Sequence, residues 1–262
     1  MKIYIPTYGR QYDQRTIDYL SQGTLNNTEF VVSAHEAPTF AKNGWPHVIC
    51  PVQGQGIHLV RQWILDNASE RYICMIDDDL AFYTRKTEDA WNQRYCTKGE
   101  VEMVIHRMAS RLKDDGETCV GISSRQGNNN FFPATELDNT RLCHIYAFDT
   151  QVVKGLGFRF DEMELMEDYH LFLTLLKNGY PNRLICDFAV GQPSSNTKGG
   201  CSTHRTPALQ EASAKKLAEL HKPFVKVVEK TNKSGWDGMK TRTDVIVSWK
   251  KAYEHGRNKC TF

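Results

Sequence analysis

Tyr72-Ile73-Cys74-Met75-Ile76-Asp77-Asp78-Asp79 is the stretch on which the fold turns. Five apolar or aromatic residues run without a break into three aspartates. A short continuous apolar run bounded by polar residues reads as a buried strand. The strand therefore ends abruptly in a cluster of carboxylates. Crowded carboxylates repel, and each resists ionisation beside its neighbours. A divalent cation relieves that repulsion, and Mg²⁺ takes one or two carboxylates together with waters and substrate phosphate oxygens. The junction thus predicts a metal and nucleoside-diphosphate site, the metal neutralising charge on a departing diphosphate. A solvated acidic turn is the plainer reading, and the direct join to a buried strand weighs against it.

Working outward, further strands are expected at Ile3–Ile5, 30–33, 48–50, 119–122, 144–148 and 184–188. Apolar residues recur at helical spacing at Ile57, Val60, Trp63 and Ile64. They do so again at Val101, Val104, Ile105, Met108 and Leu112, and at Leu171, Phe172, Leu175 and Leu176, with Gly179 as a C-cap. Alternating strands and helices predict a mostly parallel sheet flanked by helices. Such sheets bind ligands at the carboxyl ends of their strands, so residues that follow strands carry the functional information.

Two motifs lie at that edge besides the triplet. Gly54-Gln55-Gly56 opens a helix bearing Arg61, a candidate partner for Asp77 or for a donor sugar or phosphate. A tight turn explains the glycines equally well. Farther on, Phe160-Asp161-Glu162 is followed by Glu167-Asp168 at the start of the 171–176 helix. Acids are favoured there by the helix dipole alone. A carboxylate facing the ligand edge can also take a proton from an attacking hydroxyl. Asp168 is the expected base, with Glu167 orienting it or binding acceptor.

The chain has 262 residues, 40% hydrophobic and 24% charged, with a net charge of +2. Those values exclude a disordered chain or a fibre. No apolar run is long enough to span a membrane. The first residues read as a strand rather than a signal core, so the expected location is the cytoplasm. The eight cysteines contain no CxxC pair, which argues against a zinc module. Cys74, Cys119, Cys143 and Cys186 sit in apolar runs and are expected as buried free thiols.

Charge divides unevenly. Residues 205–262 hold 13 Lys+Arg and 6 Asp+Glu, a net +7, and residues 1–204 carry a net −5. The expected organisation is a core over 1–204 and a basic helical extension over 205–262 packed on it. A basic tail suits phosphate contacts, although a solvated helical face explains it as well. The loop around Asn128, Asn129 and Phe132 offers amides and rings able to read an extruded base. Arg125 and Arg205 are expected to contact an acceptor beside it.

The ordered motifs resemble those of glycosyltransferases with the GT-A fold, over roughly residues 2–205. The pieces are Ile5-Pro6-Thr7-Tyr8-Gly9-Arg10, Gly56 with Arg61, Asp77-Asp78-Asp79 as a DxD motif, Phe160-Asp161-Glu162, Glu167-Asp168, and His204. The resemblance implies Mn²⁺ or Mg²⁺ on Asp79 with His204, and Asp77 on metal or ribose. It also implies Pro6, Thr7, Arg10, Arg61 and Asp78 around a nucleotide sugar, with UDP the expected nucleotide. The turn departs from the Asn-Arg pair of many members, and a triplet leaves the ligating pair open. The compact length, the Pro-Thr-Tyr-Gly-Arg turn and Lys198-Gly199-Gly200-Cys201-Ser202 further resemble phage DNA glycosyltransferases associated with TET-type base oxidation. That narrower resemblance implies 5-hydroxymethylcytosine in DNA as acceptor, in an infected host's cytoplasm. Transfer to a glycan, lipid or protein, nucleotidyl transfer, and a non-catalytic nucleic-acid-binding module are the competing readings.

Overall fold

The computed structural model describes residues 1–192, 206–231 and 241–259. The strands are β1 (Lys2–Pro6), β2 (Thr28–Val32), β3 (His47–Ile49), β4 (Tyr72–Ile76), β5 (Ala81–Arg85), β6 (Gln93–Tyr95), β7 (Cys119–Ser124), β8 (Glu136–Asp138), β9 (Ile145–Asp149), β10 (Asn182–Gly191), β11 (Val225–Thr231) and β12 (Thr241–Val247). The helices are α1 (Gln22–Leu25), α2 (Ala37–Lys42), α3 (Ile57–Asn67), α4 (Lys98–Lys113), α5 (Thr150–Gly155), α6 (Glu167–Lys177), α7 (Pro207–Leu220) and α8 (Trp249–Lys259). All seven expected strands and the three helices expected from periodicity are present, with ends shifted by at most a few residues.

Ten strands form one sheet in the order β3-β2-β1-β4-β9-β7-β10-β5-β6, with β8 on β10. Strands β1 to β4, β7 and β10 run in one sense, and β9 is wedged antiparallel between β4 and β7. Reversal of β9 matters for the site. It brings the residues just before β9 to the edge where β4 and β7 end, and the Asp77 N–H donates to the His144 carbonyl at 2.8 Å.

One face of the sheet packs on α4 and α2 through Val101, Val104, Met108 and Phe40; the other packs on α3 and α6 through Val60, Ile64, Leu171 and Phe172. Each such fully buried side chain contributes about 1.5–3 kcal/mol. Helix α4 starts on a reciprocal capping box between Thr97 and Glu100, which satisfies two otherwise orphaned N–H groups. Two glycines are obligatory ahead of α3. Gly54 has φ +89° and a side chain there would strike the Tyr8 ring; Gly56 has φ +130° and would strike His58.

The segment after residue 205 is not wholly helical. Between α7 and α8 lies an antiparallel hairpin, β11 with β12. Val225-Lys226-Val227-Val228 and Thr241-Arg242-Thr243-Asp244-Val245-Ile246-Val247 are rich in β-branched residues, which favour a pleated surface. The lysines among them suggested a helical face instead. The hairpin and both helices close a third apolar cluster against α6, in which Leu173 and Leu176 meet Ala214, Leu217, Phe224, Val245 and Ala252. Five of the six described cysteines are buried; Cys143 is half-buried, at the sheet edge rather than in the core. No described helix is long and apolar enough to cross a membrane.

Candidate functional site

The loop after β1 is tied down from several sides. Gln53 donates to the Thr7 carbonyl at 2.5 Å and the Val31 carbonyl at 2.7 Å, and Gln14 donates to Thr7 Oγ1 at 2.7 Å. The Gly9 N–H donates to Glu36 at 2.7 Å. Thr16 latches the triplet's backbone: its hydroxyl donates to the Asp77 carbonyl at 2.7 Å and accepts from the Leu80 N–H at 3.0 Å. Thr7 and Arg10 are thereby brought against the end of β4, with Pro6 as the last residue of β1.

The three aspartates differ. Asp78 points inward, accepting from Thr7 Oγ1 at 2.5 Å and from the Arg10 guanidinium at 2.5 Å. Burial pushes its carboxyl up to about 6 against the pull of Arg10 and Thr7. Asp77 is gripped by Arg61 at 3.1 Å and His144 Nδ1 at 3.1 Å. Burial would raise it, but His144 and Arg61 outweigh that and hold it below the usual carboxylate range. Asp79 pairs through Oδ2 with Arg10 at 3.0 Å, and its Oδ1 is buried without any hydrogen-bond partner. Burial, and then the charge of Asp77, raise its carboxyl.

That orphaned oxygen is the test of fit for a metal. An ion such as Mg²⁺ asks for one or two carboxylates, the rest of its shell coming from water and phosphate oxygens. Asp79 offers one oxygen with nothing else to do. Asp77 stands beside it with both oxygens engaged. No group of three or more His, Cys, Asp or Glu side chains gathers to hold a metal among the described residues. His204 and Arg205 lie outside the described residues. The donor set therefore fits a one-carboxylate site completed by a diphosphate.

Arg61 joins the triplet to the second acidic motif. It is 6% exposed and pairs with Glu167 through NH1 and Asp77 through NH2. Its guanidinium lies 5.5 Å from the Tyr146 ring centroid. Burial raises Glu167 to about 7 despite that partner. Glu167 is thus turned into the protein. Its neighbour Asp168 is held by Arg141 at 3.3 Å, and Arg141 lies 4.2 Å over the Tyr169 ring.

Sequence reading gave no site role to His144, Cys143 or Arg141, which precede β9. His144 adopts φ +63°, and burial is outweighed by Asp77 and Cys143, so its imidazole is pushed up to about 10. Ser124 Oγ meets Cys143 Sγ at 3.0 Å, which carries the row of edge residues on to Arg125. A strand's direction leaves no mark on its alternation of side chains, so the residues before β9 gave no signal that they belong to the ligand edge.

Of the two expected asparagines, Asn128 is not placed to read a base. Asn128 is fully buried: its amide donates to the Cys186 carbonyl at 2.9 Å and its oxygen accepts from Arg85 and Gln93. Its placement makes it an internal tie, not a surface contact, because the 3-10 turn at Asn128–Phe131 folds it over the bulge in β10. Asn129 is exposed and accepts from Arg85 at 2.5 Å. Arg125 is exposed, its guanidinium 4.2 Å over the Tyr83 ring.

Solved structures share this architecture. S. aureus TarS (residues 1-349, with UDP) is 14% identical with a TM-score of 0.53, covering 84% of this chain and 65% of its own. This chain therefore spans just under two thirds of that TarS chain's length. Glucosyl-3-phosphoglycerate synthase from Mycobacterium tuberculosis, with Mn²⁺, UDP and phosphoglyceric acid, is 10% identical with a TM-score of 0.53, covering 94% and 86%. The mannosyltransferase PcManGT from Pyrobaculum calidifontis, with GDP-Man and Mn²⁺, is 15% identical with a TM-score of 0.51, covering 74% and 57%. No curated protein sequence matches the chain. These likenesses establish the GT-A fold. The family model for TET-Associated Glycosyltransferase matches residues 1–200, a span that takes in the Thr7–Arg10 loop, the triplet, Arg61 and the Glu167–Asp168 pair. The chain belongs to the TET-associated glycosyltransferase family.

Proposed function

We propose that the protein is a metal-dependent glycosyltransferase that moves a sugar from a UDP-sugar to the hydroxyl of 5-hydroxymethylcytosine in DNA. The observation that carries the reading is the buried, unpartnered Asp79 Oδ1 just past the end of β4, on a carboxylate that pairs with Arg10 through its other oxygen. Mn²⁺ or Mg²⁺ on Asp79 supplies charge neutralisation for the departing diphosphate. Thr7, Arg10 and Asp78 line the nucleotide side of that edge. Their mutual hydrogen bonds fix the wall before any ligand arrives, which lowers the ordering cost of binding.

Asp168 supplies the base. Of the two adjacent acids it is the one not sealed by Arg61, and Arg141 holds it in place. It accepts the acceptor hydroxyl's proton as the oxygen bonds to the anomeric carbon and the bond to the diphosphate breaks. Glu167 holds Arg61 and, through it, Asp77. The core over 1–204 provides the donor side and the basic extension over 205–262 adds charge for a polyanionic acceptor.

The test is incubation with UDP-glucose, Mn²⁺ and an oligonucleotide containing 5-hydroxymethylcytosine. The expected product is an oligonucleotide heavier by one hexose. Asp79→Asn, which keeps the shape and removes the charge, should cut the rate by about 100-fold or more. No mass shift with any common nucleotide sugar would overturn the DNA reading. Donor turnover stimulated by a saccharide and indifferent to DNA would replace the acceptor with a glycan.

A further inference from the structure

The sheet's far edge carries a second feature that neither the donor site nor the fold explains. Strand β5 begins two residues after Asp79 and turns back as β6. On one face of this hairpin, aromatic rings and guanidinium groups alternate. Arg125 sits 4.2 Å over Tyr83, whose ring lies 4.8 Å from that of Tyr95. Two residues along β5 from Tyr83, Arg85 sits 5.4 Å over Phe132, whose ring lies 4.7 Å from that of Trp91.

The row is built rather than incidental. Arg85 is fixed by the Ala90 carbonyl at 3.2 Å and the Asn128 carbonyl at 3.3 Å, and Asn128 is itself locked to β10. The turn's Asp89 is spent internally, accepting from the Trp91 N–H at 3.1 Å and from Asn92 at 2.5 Å. Yet the outer rings are open: Trp91 is 58% and Tyr95 57% exposed. Single exposed aromatics are ordinary, but a rigid row of them interleaved with guanidinium groups is the arrangement on which unstacked bases lie. At its inner end the row meets the acidic edge. The Arg125 N–H donates to the Val190 carbonyl at 2.7 Å, and the neighbouring Ser124 touches Cys143, next to the His144 that holds Asp77.

We infer that the Trp91–Phe132 pair and Arg125 form a binding strip for a single strand of DNA, Trp91 stacking an unpaired base beside the acceptor nucleotide and Arg125 contacting a phosphate. The inference rests on the DNA-acceptor reading above and gives that acceptor a surface distinct from the basic extension. Extrusion of a base from a duplex exposes its neighbours, and a stacking platform at the mouth of the site holds the opened strand.

The experiment is fluorescence anisotropy of the full chain with a fluorescein-labelled single-stranded oligonucleotide, read over a range of salt. Trp91→Ala should weaken binding by about 5- to 150-fold, the loss of one base-on-ring stack, and leave the salt slope unchanged. Trp91→Phe should recover most of the affinity. Arg125→Ala should lower the slope of log affinity against log salt by about 0.7, one phosphate contact. Equal melting temperatures for the variants check that they fold. If Trp91→Ala and Arg125→Ala bind as the wild type does while Lys250→Glu with Lys251→Glu abolishes binding, the extension holds the strand and the inference is overturned, with the DNA reading intact. A wild-type chain that binds no oligonucleotide and transfers no sugar to one overturns both.

Discussion

Arg61 is the residue on which the site's electrostatics converge. A buried guanidinium between the half-buried Asp77 and the buried Glu167 replaces hydration with fixed partners, and Asp77 has the His144 imidazole equally close at 3.1 Å. Removing one member of a buried ion network leaves the rest uncompensated. Arg61→Met should therefore destabilise the fold by about 3–5 kcal/mol, measured by urea denaturation, and adding Glu167→Gln should return part of that loss. At this scale the sequence was informative where residues follow strands. The triplet stood out as a polar cluster after an apolar run and Glu167–Asp168 as acids at a helix start, whereas Thr7 and Arg10 entered through the family resemblance. Asn128 misled, since an amide in a polar loop carries no sign that it folds inward. His144 was read as the first residue of a strand.

At the scale of elements, α6 has two jobs. Its N-terminus presents Glu167 and Asp168, and its other flank anchors the segment after residue 205. Two contacts within that anchorage can be tested. His170 Nδ1 meets His221 Nε2 at 2.8 Å, and His170 Nε2 meets Glu162 at 3.0 Å. Burial, then His170 and Lys177, push His221 down to about 3, and burial lowers His170 as well. The unfolded chain binds these protons more readily, with an ordinary histidine value near 6.5. Their contribution to stability is therefore full above about pH 6.5 and declines as pH falls from there toward 3. Hydrogen exchange should show α7 loosening from α6 in that window, with His221→Gln blunting the effect. The second contact is Gly256. A side chain there would land on the Leu176 carbonyl and the backbone at Gly179, the C-terminus of α6. Gly256→Ala should dislodge α8 and cost about 1–3 kcal/mol, read as a lower melting temperature. Helix α6 was legible from its periodicity. Strands β11 and β12 were not, because lysine-rich composition outweighed a run of valines and threonines. Strand β5 was hidden by the acidic cluster that precedes it.

Across the whole molecule, the modest net charge of +2 is an average over an acidic body and a basic extension. The acids of the body are not spread evenly: Asp77, Asp78, Asp79 and Glu167 crowd one edge, and two arginines serve all four. Donor and metal together should relieve that crowding. Mn²⁺ with UDP at 100 times its dissociation constant should stabilise the fold by about 2.7 kcal/mol, seen as a rise in melting temperature. Mn²⁺ alone should give less, because one free carboxylate oxygen makes a poor cage without the diphosphate. Asp79→Asn should abolish the metal-dependent part of the rise.

The lone oxygen of Asp79 has a practical consequence. The protein carries its electrostatic strain at the place its ligand fills, so heat resistance becomes a gauge of occupancy. Nucleotides and sugars can then be ranked by the temperature at which each complex melts, with no acceptor in the tube. The donor becomes knowable before the acceptor is settled.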